Sequence, residues 1–135
     1  MGDELLESIA KAAHPCGVKV VASSHDFAKT PEKAEIIRRL CRMQELGADL
    51  LKIAVMPKST GDVLTLLQAT WEMHSVHAKQ PVITMSMGGT GAISRLSGEV
   101  FGSALTFGSA GKASAPGQGA VQELKNVLKV VHESR

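Results

Sequence analysis

The chain has 135 residues, of which 44% are apolar and 21% charged, as in a globular domain that is neither disordered nor membrane-embedded. No apolar run approaches the about 20 residues of a membrane-spanning helix, and the first residues lack the basic segment of a signal peptide, so we expect a cytoplasmic protein with no membrane partner. The net charge of +2, three Phe, one Trp and no Tyr argue against a nucleic acid partner.

The apolar pattern predicts one helix followed by four strand–helix pairs. The first helix covers residues 3–14, where apolar residues recur at helical spacing. The β-branched run from Val18 to Ser24 predicts the first strand, and Thr30 and Pro31 predict the start of a helix that ends near Gly47. The later predicted elements are a strand within residues 47–57, a helix from about Val63 to Ala78, a strand from Pro81 to Met87, a short helix from Ile93 to Val100, a strand from Ala104 to Gly108 and a helix over residues 121–131.

Strands that alternate with helices at this spacing predict right-handed βαβ units and a parallel sheet. No linker is long enough to divide the chain, so we expect a single domain of residues 1–135. Four strand–helix units are half of the eight that close a TIM barrel.

Lys52 stands in the middle of the apolar second strand, where a charged side chain needs an explanation. Leu50, Ile53 and Ala54 would disfavour the ammonium form and raise the neutral, nucleophilic fraction that a Schiff-base lysine requires. Alternatively, Lys52 extends to the strand end or pairs with a carboxylate. The strand alone favours neither interpretation.

Other candidate site residues stand where the strands end, which is where α/β sheets bind ligands. Strand alternation places His25, Lys52 and Met85 on one face, where an amine and an imidazole could form and use an imine. His74 and His77 are three apart on one predicted helix, but no companion carboxylate or cysteine has the spacing to complete a zinc site. The candidates are, in chain order, His25, Lys52, Met85, Met87, Arg95, Phe107, Ser114 and Gln118.

Five motifs carry a family resemblance: SHDF at 24–27, ADLLKIAVMP at 48–57, ITMSM at 83–87, SR at 94–95 and ASAPGQ at 113–118. On these motifs the chain resembles the type I 3-dehydroquinate dehydratases. The family is a metal-independent (βα)8 barrel that dehydrates 3-dehydroquinate to 3-dehydroshikimate in the shikimate pathway. The resemblance therefore implies neither metal nor cofactor. The resemblance implies an α/β fold, the (βα)4 half of a TIM (βα)8 barrel that corresponds to strands five to eight, preceded by an extra N-terminal helix.

The resemblance also implies roles for the candidate residues. Lys52 matches the lysine that forms the imine with the substrate ketone. His25 matches the histidine that removes the adjacent proton and later protonates the departing hydroxyl. The substrate-binding positions are matched by Arg95 for the carboxylate, by Ser114 and Gln118 for polar contacts from a closing loop, and by Met85, Met87 and Phe107 for the apolar walls.

Complete members carry four earlier strands, which supply a glutamate that assists the histidine and further substrate-binding groups. We therefore expect a half-barrel that is weak or inactive alone and that forms a homodimer or joins a complementing half-barrel through apolar edges at 18–24 and 104–108. The alternative is a non-catalytic truncated, assembly or ligand-sensing half-barrel. Another imine-forming lyase or aldolase is a third interpretation, against which the loop at 113–118 argues.

Overall fold

The structure is a computed structural model that describes residues 2–113 and 116–135. Strands and helices alternate in the predicted order up to the third strand. None of the helices in the described ranges is both long enough and apolar enough to cross a membrane. The elements are α1 (Asp3–Ala13), a 3-10 turn (His14–Cys16), β1 (Val21–Asp26), α2 (Lys33–Glu45), β2 (Leu50–Val55), α3 (Thr60–Glu72), a π-helical turn (Met73–His77), β3 (Val82–Ser86), α4 (Ala92–Leu96), α5 (Gly98–Phe101) and α6 (Val121–Glu133).

The three strands form one parallel sheet in the order β1-β2-β3, which confirms the predicted parallel arrangement. The register pairs Ser23 of β1 with Lys52 of β2, and Lys52 with Ile83 of β3. Parallel neighbours need a crossover connection, and α2 and α3 provide the two crossovers.

The predicted strand from Ala104 to Gly108 is wrong. Here the chain reaches β3 through a bridge between Ser103 and Val82 and through the Ala104 N–H, which donates to the Val82 carbonyl oxygen at 2.7 Å. The Thr84 N–H also donates to the Ser103 hydroxyl at 3.1 Å. Strand propensity mostly reflects packing against neighbouring strands, and this segment has a neighbour on one side at most. Residues 104–108 therefore lie beside the sheet edge in an irregular conformation, with Leu105 and Phe107 about two-fifths exposed (40% and 39%).

Three predicted element starts also shift. α3 begins at Thr60 instead of about Val63, with Ser59 as its cap, because the Ser59 hydroxyl accepts from the Asp62 N–H. β1 begins at Val21 instead of Val18, because Leu50, the first residue of β2, pairs with Val21 and leaves the preceding residues without a ladder. His25 consequently lies inside the strand. α2 begins at Lys33 because the hydroxyl of Thr30, the predicted cap, donates instead to the Met56 carbonyl oxygen at 2.9 Å.

The main core lies on the face of the sheet that the helices cover. Leu51, Ile53 and Val55 of β2 are fully buried there, in one cluster with side chains of α1, α2 and α3. Thr70 of α3 and Thr84 of β3 share a buried hydrogen bond between their hydroxyls, 2.6 Å long, so these two buried hydroxyls satisfy each other. Packing on this helix-covered face holds the sheet in place. The opposite face of the same sheet displays the other set of side chains.

The opposite face of the sheet carries a smaller apolar cluster. Ala54, Ile83, Met85 and Met87 are buried there, with Leu50 and Met56 packed against them. The side chains of this face come from alternate residues of each strand, as the period of two requires. We call it the inner face, because it would line the interior of a closed barrel.

Candidate active site

His25, Lys52 and Met85 share the inner face, which confirms the predicted parity. His25 pairs in register with Ala54, and Ala54 with Met85, while Lys52 lies two positions earlier along β2. Ile53 was expected to help desolvate Lys52, but it lies on the opposite face and is fully buried in the main core. Strand alternation is the reason, since neighbouring residues point to opposite sides.

Lys52 is half-buried in the middle of β2, and its amine has an aromatic neighbour. The Nζ atom lies over the ring of Phe107, 4.6 Å from the ring centroid. Within residues 2–113 and 116–135, no carboxylate forms an ion pair with Lys52, so the pairing alternative that the sequence left open finds no support there. The amine is left available for chemistry on the inner face.

His25 lies near the carboxyl end of β1, where its ring stacks on Phe27 with centroids 5.8 Å apart and planes 9° from parallel. Partial burial, with a smaller contribution from the positive charge of Lys52, lowers the pKa of the His25 imidazole. The ring is therefore neutral at pH 7 and can accept a proton. Phe27 was not singled out from the sequence, although residues two apart in an extended chain lie on the same side.

Arg95 belongs to α4 and is only 3% exposed. Its Nη2 donates to the Pro116 carbonyl oxygen at 2.9 Å, whereas Nε and Nη1 are buried without a hydrogen-bond partner among the described residues. Burial lowers the pKa of the guanidinium, yet an arginine stays charged in proteins. A buried cation with two unmatched donors is suited to an anionic acceptor such as a carboxylate.

The position of Arg95 follows from the way α4 is attached to the end of β3. The Ser94 hydroxyl accepts from the Ser86 N–H at 2.8 Å and donates to the Gly91 carbonyl oxygen at 2.7 Å. A Cβ at Gly91 would overlap the Ser86 carbonyl oxygen, so only glycine permits the helix to begin this close to the strand. These contacts place Arg95 just beyond the carboxyl end of the sheet.

The remaining candidates lie around the same end of the sheet, with one exception. Met85 and Met87 are buried in the cluster of the inner face, at 4% and 1% exposure. Gln118 lies half-buried in the segment before α6, whereas Ser114 falls outside the described residues. Gly117, with φ of 77°, approaches the Gly88 backbone so closely that a Cβ would overlap the Gly88 carbonyl oxygen. The segment that contains Gly117 therefore packs on the loop after β3.

The site offers amine, imidazole and guanidinium chemistry. A lysine amine can condense with a ketone, a neutral imidazole can accept a proton from carbon, and a buried guanidinium can orient a carboxylate. Among the side chains that the structure describes, no group of three or more His, Cys, Asp or Glu is placed to hold a metal ion. The combination points to an imine-forming site for a ketone that carries a carboxylate.

The chain is similar in sequence to proteins of one family. A family model described as type I 3-dehydroquinase matches residues 1–135. A 3-dehydroquinate dehydratase of Clostridioides difficile is 60% identical over 134 residues, which are 99% of the chain and 52% of the relative. One of Listeria monocytogenes serotype 4a is 66% identical over 125 residues, or 93% of the chain and 49% of the relative. The chain thus spans about half the length of the curated relatives it matches.

Solved structures of the same enzyme class superpose on the chain. The crystal structure of a type I 3-dehydroquinate dehydratase from Clostridium difficile, with covalently modified comenic acid, superposes with a TM-score of 0.95 at 60% identity and covers 99% of this chain and 53% of that one. The enzyme from Geobacillus kaustophilus superposes with a TM-score of 0.94 at 43% identity, covering 98% of this chain and 51% of that one. The predicted fold class, half of a (βα)8 barrel, is confirmed.

Proposed function

Because the chain belongs to the type I 3-dehydroquinase family, we propose that it carries out the lysine imine chemistry of a 3-dehydroquinate dehydratase, the lyase that converts 3-dehydroquinate to 3-dehydroshikimate and water. The observation that carries the proposal is the placement of Lys52 and His25 on one face of two adjacent strands. The buried donors of Arg95 lie beyond the third strand. Family membership does not favour the alternative of a non-catalytic assembly or ligand-sensing half-barrel.

In the proposed reaction, the neutral Lys52 amine attacks the ketone carbon, and the ketone oxygen leaves as water. The resulting protonated imine withdraws electrons and makes the adjacent C–H acidic. His25 accepts that proton, the electron pair forms the new C=C bond, and the leaving hydroxyl takes the proton from His25 and departs as water. Hydrolysis of the imine consumes one water and returns the ketone and the amine, so the net change is the loss of one water.

The other proposed roles concern binding. Arg95 binds the substrate carboxylate through a fork that joins Nη2 to either Nε or Nη1, the two donors without a partner among the described residues. Met85, Met87 and Phe107 form the apolar walls. Ser114 and Gln118 contribute polar contacts from the loop that closes over the ligand and excludes water from the imine.

Borohydride reduction in the presence of 3-dehydroquinate, followed by peptide mass spectrometry, tests the proposal. We expect a mass increase on the peptide that contains Lys52, and none in a Lys52→Met variant. Comenic acid, which is covalently modified in the Clostridium difficile structure, serves as a second probe. An unmodified Lys52 peptide with both compounds would overturn the proposal.

Turnover by the chain alone is proposed to be slow. No carboxylate among the described residues hydrogen-bonds the His25 imidazole, whose ring stacks on Phe27. A general base without an orienting carboxylate loses roughly 10²- to 10⁴-fold in rate. We therefore expect imine trapping to be easy to detect, and 3-dehydroshikimate absorbance to accumulate slowly.

We further propose that the chain functions as a homodimer. Support comes from two open edges, since β1 has one strand neighbour and exposes 53% of Val21, and the segment at 104–108 exposes Leu105 and Phe107. A groove of about 480 Å³ runs along the unpaired edge of β1, bounded by residues of α1 and α2. A second copy offers both edges at once and would complete a ring from two halves.

Light scattering of the purified chain at micromolar concentration tests the dimer, and we expect twice the mass of one chain. A compact monomer would overturn the proposal, and a stable dimer only with a separate polypeptide would identify a complementing half-barrel instead. The single domain of residues 1–135 and the cytoplasmic location stay predictions.

A further inference from the structure

The contact between Phe107 and Lys52 joins an irregular segment to the middle of a strand. Lys52 is held in the sheet by its ladders to Ser23 and Ile83, whereas Phe107 lies in the segment that fails to form a fourth strand. Their contact is face-on, with Nζ 4.6 Å from the ring centroid. A role as an apolar wall of the ligand site does not explain why the Lys52 amine lies over the face of the Phe107 ring. The position of the amine therefore needs a second explanation.

The face of a phenyl ring carries negative electrostatic potential, which attracts a cation but not a neutral amine. A ring face beside an amine therefore interacts more favourably with an ammonium ion than with a neutral amine. For a partly exposed pair the preference is about two- to fivefold in the ratio of the two forms. Because no carboxylate pairs with Lys52 among the described residues, Phe107 is the group there that stabilises its charge.

We propose that Phe107 is a positioning residue that stabilises the cationic forms of Lys52 in addition to bounding the ligand site. In the free chain the ring holds the ammonium and lowers the reactivity of the amine. After condensation, the protonated imine carries its positive charge on the same nitrogen, so the ring stabilises that cation too. This second part rests on the proposed function, and the first part does not.

Competitive labelling tests the first part without any substrate. The chain is treated with a trace of acetic anhydride at pH 7 to 8, and the labelling of Lys52 is compared by mass spectrometry with that of Lys33 in the same molecules. In a Phe107→Leu variant, which keeps an apolar side chain but removes the ring, we expect labelling of Lys52 to rise about two- to fivefold. A Phe107→Tyr variant restores the ring face and is expected to label as the parent does.

Phe101→Leu is the matched control, because it removes the same ring from α5, and no ring contact links Phe101 to Lys52. Circular dichroism verifies that all variants fold. Unchanged labelling of Lys52 in Phe107→Leu, or an equal rise in Phe101→Leu, would overturn the proposal. A rise that Phe107→Tyr fails to reverse would also overturn it, since the effect would then be one of access.

The pH profile of borohydride trapping with 3-dehydroquinate tests the second part. The falling limb at high pH, where the imine loses its proton, is expected to move to lower pH by about 0.3 to 0.7 pH unit in Phe107→Leu, the same two- to fivefold change. If the parent chain traps no substrate, the proposed function fails, while the labelling result still decides the role of Phe107. If the parent traps and the limb does not move, the second part alone is wrong.

Discussion

The proton affinity of His25 shows how the sheet sets the chemistry of a single residue. The imidazole is exposed but partly desolvated, and it lies on the strand next to Lys52; both features disfavour its protonated form. A histidine that must accept a proton from carbon has to be neutral before the reaction. The surroundings of His25 favour the neutral imidazole at pH 7, although no described residue forms a hydrogen bond with its ring.

We predict that an NMR titration of the chain gives a His25 midpoint below the ordinary value of about 6.5. Because the folded pKa lies below the unfolded one, the contribution of His25 to stability is present above the unfolded value and is lost as the pH falls through the folded value. Lys52→Met removes a positive charge and should raise the midpoint. Lys33→Met is the control, since Lys33 pairs with Glu72 at 3.3 Å; equal midpoints in Lys52→Met and the parent would contradict the prediction.

Arg95 is predicted to determine the affinity for the substrate carboxylate. Arg95→Lys keeps the charge but cannot match a bidentate acceptor, so it loses one charge-assisted hydrogen bond of about 1.5–3 kcal/mol. The concentration of 3-dehydroquinate that gives half-maximal trapping of Lys52 should rise about 10- to 100-fold, with the same yield at saturation. An unchanged half-maximal concentration in a variant that melts as the parent does would remove Arg95 from the site.

At the scale of elements, the junction between β3 and α4 controls the site. α4 has five residues and cannot be stable by itself, because isolated helices need about 12–15 residues. Its position depends on the Ser94 hydroxyl bonds and on the close approach of Gly91 to Ser86. The helix is thus held by the strand that precedes it, and Arg95 moves with it.

We predict that Gly91→Ala displaces α4 and costs about 1–3 kcal/mol of unfolding free energy, because the new methyl group overlaps the Ser86 carbonyl oxygen. The same variant should weaken substrate trapping through the shift of Arg95. Gly89→Ala, two residues earlier, is a matched control because nothing lies within 4 Å of its Cβ position. Denaturant titration gives the free energies, and equal values for the two variants would show that the contact at Gly91 is not tight.

The two faces of the sheet bury very different numbers of apolar side chains. The helix-covered face contains the large core, which includes fully buried Leu51, Ile53 and Val55. The inner face buries a few residues and leaves His25 exposed near its outer edge. Unpaired, apolar strand edges associate readily unless charges or helices protect them.

If the β1 edge takes part in the proposed dimer, a charge placed on it should dissociate the dimer. Val21→Lys is expected to shift the chain from dimer to monomer in sedimentation velocity experiments, because Val21 is 53% exposed on the edge strand. Val76→Lys is the control, since Val76 is 68% exposed in the π-helical turn, outside both proposed edges. A Val21→Lys chain that remains dimeric would place the interface elsewhere.

The sequence by itself determined the element order up to the third strand, the parallel sheet and the shared face of His25, Lys52 and Met85. Helical spacing and the alternation of strand side chains are properties of the local backbone, so they can be read without long-range contacts. The motifs around these residues determined the family for the same reason, since they are local.

Only the tertiary structure decided the rest. Residues 104–108 have strand composition but lack a second neighbour, so Phe107 is placed over Lys52 instead of in a fourth strand. Two hydrogen bonds likewise join residues about 20 or more positions apart. Arg95 donates to the Pro116 carbonyl oxygen, and the Thr30 hydroxyl donates to the Met56 carbonyl oxygen instead of capping a helix. Contacts of this kind depend on how the whole sheet is assembled, and local sequence does not specify them.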